Sequence, residues 1–141
     1  MQYICDAGET TWFRLETLAE AAQESRAMSH AVERYFRDAQ ENAVKSYVPP
    51  AGVRISEEKI GLKAHIERAM PLFLTLRDRE GNALVTAMLP PKGADEAKFR
   101  PIVVGPNNAD PYKNYPAAIH LLAKHFGLTL DAGRCYPYRR A

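Results

Sequence analysis

A row of basic side chains is the first group of residues whose chemistry could be used for binding. Arg26, His30, Arg34 and Arg37 recur at roughly four-residue spacing, which places them within a narrow arc of one helix. Such a row can contact phosphates or an acidic partner, and its histidine adds one titratable member. The alternative is a solvated face, because Glu33 lies four residues before Arg37 and can pair with it. We predict a partner-binding surface here and keep the solvated face as its alternative.

The C-terminal tail, residues 134–141, combines arginines with tyrosines and contains no acidic residue. Guanidinium and aromatic groups together can hold phosphates and stack on bases, and they are also favoured in protein interfaces. The alternative is a terminus that only aids solubility. Cationic neighbours would favour the thiolate of Cys135, but no base or oxyanion site accompanies it in the sequence. The tail residues that we select as partner-binding candidates are Tyr136, Tyr138, Arg139 and Arg140.

A polar loop, residues 105–114, joins a short apolar strand to the start of a helix. Free amides at a helix start attract anions, and the loop supplies side-chain donors and a cation beside them. Gly105 stands alone, so no phosphate-binding or dinucleotide glycine pattern is present, and a proline-stiffened structural loop is the alternative. The candidate anion ligands are Asn107, Asn108 and Lys113, and the tyrosines Tyr112 and Tyr115 are added as partner-binding candidates.

Histidine and cysteine spacing predicts no metal site. The four histidines include no pair four residues apart, and Cys5 and Cys135 stand near opposite ends of the chain. A nucleophile, base and acid cannot be assigned together from spacing, because catalytic triads are recognised by their geometry. We therefore predict no metal, no cofactor and no catalytic residue, and we expect both cysteines to be reduced thiols.

The elements that must position these residues predict an α+β fold with a largely antiparallel sheet. β-Rich segments separated by turn residues indicate hairpins, and a 3.6-residue apolar period indicates helices. Thr17 and Glu20 have the spacing of a capping box at the start of a long helix. The predicted segments are hairpins at residues 2–15 and 72–89, a short strand at 101–105, one long helix at 18–47, and two shorter helices at 56–68 and 116–126. The order is ββ-α-α-ββ-β-α.

Length and composition favour one globular domain. The chain has 141 residues, of which 46% are hydrophobic and 26% are charged. We predict a domain at residues 1–133 followed by the tail, without whose three arginines the chain is close to neutral. A domain that binds a polyanion usually spreads basic residues over one face. Nucleic-acid binding is therefore possible but is not the first prediction. The sequence shows no secretion signal and no apolar run that could span a membrane, so we expect a cytoplasmic protein without membrane contact.

These observations predict a non-enzymatic interaction or regulatory module, an adaptor or inhibitor that acts by protein–protein contact. A homodimer is one form that such contact could take. The first alternative is nucleic-acid binding through the tail and the basic row, with strong dependence on salt. The second is a small enzyme with an anion site at residues 105–114, near His120 or Lys113.

Overall fold

Five strands form one antiparallel sheet in the computed structural model, which describes residues 1–130 and Cys135. Their spatial order follows the chain, so that every strand pairs with its neighbours in sequence. The strands are β1 (Gln2–Ala7), β2 (Thr10–Arg14), β3 (Leu72–Arg77), β4 (Ala83–Leu89) and β5 (Ile102–Val104). The α+β class and the approximate order of elements predicted from the sequence are confirmed.

The turn of the second hairpin shows why its residues favour this structure. The Asp78 carboxylate accepts a hydrogen bond from the backbone N–H of Asn82 at 2.8 Å, and Gly81 adopts a φ of 84° that a side chain would strain. The hydrogen bonds from Asn82 hold the pKa of Asp78 below its ordinary value. The register shifts between Leu76 and Arg77, which produces the bulge expected beside such a turn.

The helices of the described residues are α1 (Leu18–Met28), α2 (Val32–Ser46), α3 (Ile55–Ala69) and α4 (Pro116–Phe126), with short 3₁₀ turns at Glu96–Lys98 and Pro106–Asn108. The capping box predicted at Thr17 and Glu20 is present at the start of α1. α4 begins with Pro116 and ends at Phe126. The next residue, Gly127, takes the left-handed conformation typical of a residue just past a helix.

The single long helix predicted at residues 18–47 is wrong, because the chain breaks between α1 and α2. Ser29 adopts a left-handed conformation with φ of 53° and ψ of 54°, which ends α1 as a glycine would. The apolar period nevertheless continues across the break, since Met28, Val32 and Phe36 are all buried. A straight helix of thirty residues would be about 45 Å long, whereas a strand of six residues covers only about 20 Å. The bend keeps both halves on the sheet.

Helices pack against both faces of the sheet. α4 covers one face, where Trp12, Leu74 and Ile119 belong to one apolar cluster. α1 and α2 cover the other face, where Phe36 and Phe73 pack with ring centroids 5.0 Å apart. β3 lies between these clusters, which explains why its sequence is a nearly continuous apolar run.

Candidate functional site

A carboxylate lies fully buried between α1 and the sheet. The side chain of Glu24 has no exposed surface, and each of its oxygens accepts a short hydrogen bond. Arg77 on β3 donates to Oε1 at 2.6 Å, and the hydroxyl of Thr86 on β4 donates to Oε2 at 2.6 Å. Because buried charges are costly unless they are paired, these two donors are what allows a carboxylate at this position.

His30 extends this polar network toward the surface. Its Nε2 lies 2.9 Å from Thr86 Oγ1, and its Nδ1 lies 3.4 Å from the backbone N of Val32. Thr86 has one hydroxyl hydrogen, which it donates to Glu24, so His30 Nε2 must carry the hydrogen and donate to Thr86. Nδ1 is then the acceptor for the Val32 N–H. Burial lowers the pKa of His30 below its ordinary value and the Glu24 charge partly opposes this shift, which agrees with a neutral imidazole at pH 7.

The same histidine helps to start α2. The residue before this helix, Ala31, has no side chain that could cap it. The first two amides are instead met by the Nδ1 of His30 and by the Oγ of Ser25, which accepts from the Glu33 N–H at 2.8 Å. The start of α2 is therefore capped by side chains from residues that precede the helix in the sequence.

A cavity of about 420 Å³ opens between this corner, strands β3 to β5 and the 3₁₀ turn that follows β5. We call it the His30 cavity. Most of its described lining is apolar or aromatic, and His30 and Thr86 lie on its wall. Within residues 1–130 and Cys135, no carboxylate lines it. The lining residues are His30, Ala31, Val32, Arg34, Tyr35, Phe73, Thr86, Met88, Arg100, Ile102, Val104 and Asn108.

The structure separates the predicted basic row. His30 turns inward to Thr86 because the helix breaks beside it, and Arg34 lines the His30 cavity. Arg37 lies outside the cavity and pairs with Glu33 at 3.0 Å, as the solvated-face alternative described. Arg26 is exposed near the end of α1 and does not line the cavity.

The predicted anion loop contributes one residue to the same cavity. Asn108 lines it, in a left-handed conformation with φ of 59°, and Asn107 has the same φ. Lys113 is exposed and does not line the cavity. Tyr112 and Tyr115 are half-buried and pack against the apolar cluster under α4. The cavity thus joins His30 and Arg34 from one predicted group with Asn108 from another.

Most of the tail prediction lies outside the described residues. This applies to Tyr136, Tyr138, Arg139 and Arg140, and to the proposed boundary between domain and tail at residue 133. Cys135 is described and is 1% exposed within the cluster under α4, against which Cys5 also packs. Neither of these two thiols forms a disulfide.

Sequence reasoning missed the buried centre of the site. Glu24 lies three residues after Ala21 and four before Met28, and both of these residues are fully buried. Glu24 therefore occupies a position on the apolar face of α1, and a carboxylate at such a position is the sequence signal for a buried polar group. Its partner Thr86 is paired in register with Thr75 on the same face of the sheet, so a polar stripe interrupts otherwise apolar strands.

Comparison of the chain with models of known protein families, with curated proteins and with solved structures finds no match. Within residues 1–130 and Cys135, no cluster of histidine, cysteine and carboxylate side chains could hold a metal ion. No helix in this part of the chain is both long and apolar enough to cross a bilayer. The geometry of the His30 cavity is thus the basis for a functional conclusion.

Proposed function

We propose that this protein is a non-enzymatic binding module that holds a small amphipathic anion in the His30 cavity. The observation that carries the proposal is the composition of the lining, which combines apolar walls and two arginines with no carboxylate among the residues that the structure describes. Ligand sites are typically concave and mainly apolar, with a few polar groups that orient the ligand.

The size and walls of the cavity suit a small organic molecule. Its volume of about 420 Å³ falls in the range of about 300–1,000 Å³ typical of ligand pockets. Val32, Phe73 and Met88 form apolar wall from three different elements. Burial of an apolar ligand surface against them supplies binding free energy of roughly 25 cal/mol per Å².

The charge of the lining favours an anion. Arg34 and Arg100 both line the cavity, and Arg34 forms no ion pair with any residue that the structure describes. The Arg34 guanidinium lies 5.4 Å from the centroid of the Tyr35 ring, so an aromatic contact orients it. The buried carboxylate of Glu24 is already paired with Arg77 and so cannot balance the Arg34 charge fully.

The hydrogen-bond network supports binding rather than catalysis. Thr86 carries the hydroxyl that lies beside His30 at the cavity wall, but its hydrogen is committed to Glu24 and the residue is only 3% exposed. His30 is committed at both nitrogens. Thr86 and His30 therefore form a polar part of the cavity wall. A ligand can bind against it without being converted to a product.

The test uses a pair of fluorescent probes that share one aromatic scaffold. 8-Anilinonaphthalene-1-sulfonate (ANS) carries a sulfonate, and N-phenyl-1-naphthylamine (NPN) lacks it. We expect saturable one-site binding of ANS, and we expect Arg34→Met to weaken it about tenfold because a charge-assisted hydrogen bond is lost. NPN should bind both proteins with similar affinity. Fluorescence titration gives all four dissociation constants.

Arg26→Met is the matched control, because Arg26 is an exposed arginine outside the cavity. It should leave the affinity for ANS unchanged. A failure of ANS to saturate one site, or an equal loss of affinity in both arginine variants, would contradict the proposal.

Contact with a partner protein is a second candidate function, and exposed apolar side chains favour it. α3 has no fully buried residue, and three large apolar side chains on and before it are mostly exposed. They are Val48 at 83%, Ile55 at 76% and Ile60 at 70% exposed. Apolar side chains left at the surface in this way are typical of interaction sites when they are contiguous.

The second candidate is tested with the tagged chain as bait and nuclease-treated lysate. We expect a protein retained by the wild type to be lost with the Ile55→Glu, Ile60→Glu double variant and kept by Lys59→Glu, an exposed charge change on the same helix. Retention of a protein from untreated lysate that is lost from nuclease-treated lysate would favour nucleic-acid binding instead.

A further inference from the structure

We propose that an anion in the His30 cavity binds together with one proton, which His30 takes up, so that the site holds its ligand more tightly in mildly acidic than in neutral solution. The inference rests on the proposed function and adds its regulation by pH. It is carried by the hydrogen bonds that His30 makes at each nitrogen and by the charges that face it.

The hydrogen bonds of His30 leave one place for an added proton. Nε2 already carries a hydrogen and donates to Thr86, which donates in turn to Glu24. An added proton must therefore occupy Nδ1, which in the neutral ring accepts from the Val32 N–H. That contact is 3.4 Å long and hence weak, so its loss costs little.

The chain from His30 through Thr86 to Glu24 survives protonation. The imidazolium still donates from Nε2 to Thr86 at 2.9 Å, and the Glu24 carboxylate at the far end favours the charged ring. The protonated Nδ1 then faces the Val32 N–H as a second donor, beside a cavity that both His30 and Val32 line. An anion in the cavity can accept a hydrogen bond from this Nδ1–H and from the Val32 N–H, which has lost its acceptor.

The charges that face His30 explain why the proton enters with the ligand rather than before it. Glu24 on α1 is paired with Arg77 on β3, so it offsets the imidazolium only in part. Arg34 on α2 lines the same cavity and disfavours another positive charge there, as does burial of the ring. A bound anion reverses this balance because it attracts both the Arg34 guanidinium and the imidazolium.

Besides His30 and the arginines, Tyr35 is the ionisable side chain among the described lining residues, and the Arg34 guanidinium lies 5.4 Å from the centroid of its ring. The neighbouring Glu33 is paired with Arg37 outside the cavity. The histidines His65, His120 and His125 are not among the lining residues.

The test measures the affinity for ANS at pH 5.5 and pH 7.5, because its sulfonate stays ionised at both. The variant is His30→Gln, whose amide can donate to Thr86 but cannot take up a proton. We expect wild-type protein to bind ANS roughly tenfold more tightly at pH 5.5, in line with coupling to one proton, and His30→Gln to bind equally at both. Circular dichroism at each pH confirms that both proteins are folded.

Calorimetry at pH 6.5 in two buffers of different ionisation enthalpy counts the protons directly. We expect a net uptake between zero and one proton per ANS bound to the wild type, and none for His30→Gln. Equal affinity of the wild type at the two pH values, or a pH dependence that His30→Gln retains, would overturn the coupling while leaving the binding site in place. Absence of saturable ANS binding would overturn the proposed function itself, and the coupling with it.

Discussion

Replacement of Glu24 by alanine is expected to lower the free energy of unfolding by about 3–5 kcal/mol, because one member of a buried ion pair is removed. The change leaves the charge of Arg77 without its partner in a side chain that is only 18% exposed. It also leaves the buried Thr86 hydroxyl without its acceptor. Urea denaturation followed by circular dichroism measures the loss.

Glu33→Ala is the matched control, since it removes a carboxylate from an exposed pair with Arg37 at 3.0 Å. That variant should lose less than about 1 kcal/mol. The double variant Glu24→Met, Arg77→Met should recover much of the stability lost by Glu24→Ala, because no charge is then buried alone. If Glu24→Ala were as stable as Glu33→Ala, the buried network would not stabilise the fold.

Replacement of Trp12 by alanine is expected to cost about 3–5 kcal/mol, as for other large buried aromatic side chains. Trp12 is fully buried on β2, and its indole Nε1 donates to the carbonyl of Ala118 on α4 at 2.8 Å. The side chain therefore both fills the cluster under α4 and fixes the position of that helix.

Trp12→Phe separates these two contributions, because it keeps a ring and removes the hydrogen bond. We expect a loss of about 1–3 kcal/mol, mainly from the buried carbonyl of Ala118 that is left without its donor. Trp12 is the only tryptophan of the chain, so unfolding must be followed by circular dichroism. Equal losses in the two variants would show that the ring volume adds nothing, contrary to this account.

Local residue chemistry was sufficient to predict most of the elements. The Thr17–Glu20 box and the glycines at positions 81 and 127 act within a few residues of themselves, and each marks the boundary that the structure shows. The apolar composition of β3 and β4 likewise reports their burial directly. These signals do not depend on distant parts of the chain, which is why a sequence reveals them.

The break at Ser29 could not be predicted in the same way. Serine carries no strong stop signal, and the apolar period runs through it from Met28 to Val32. What favours the bend is the short sheet on which both helices pack, together with side chains that cap α2 from Ser25 and His30. A tertiary cause of this kind has no local signature.

The candidate site was predicted only in pieces for the same reason. His30 and Arg34 were selected as members of a surface row, and Asn108 as part of a separate anion loop. The break in the helix and the course of the chain after β5 bring all three to one cavity. The pairing of Glu24 with Arg77 joins residues 53 positions apart, which no spacing rule reports.

The neighbouring positions of β2 and β3 have a consequence for the speed of folding. The two strands pair directly, with Arg14 opposite Leu74, although α1, α2 and α3 lie between them in the sequence. The β1–β2 and β3–β4 hairpins can close early because their loops are short, whereas joining them requires the ends of a long helical excursion to meet. That single non-local closure raises the contact order of an otherwise sequential sheet, and we expect it to limit the rate at which the chain reaches its native state.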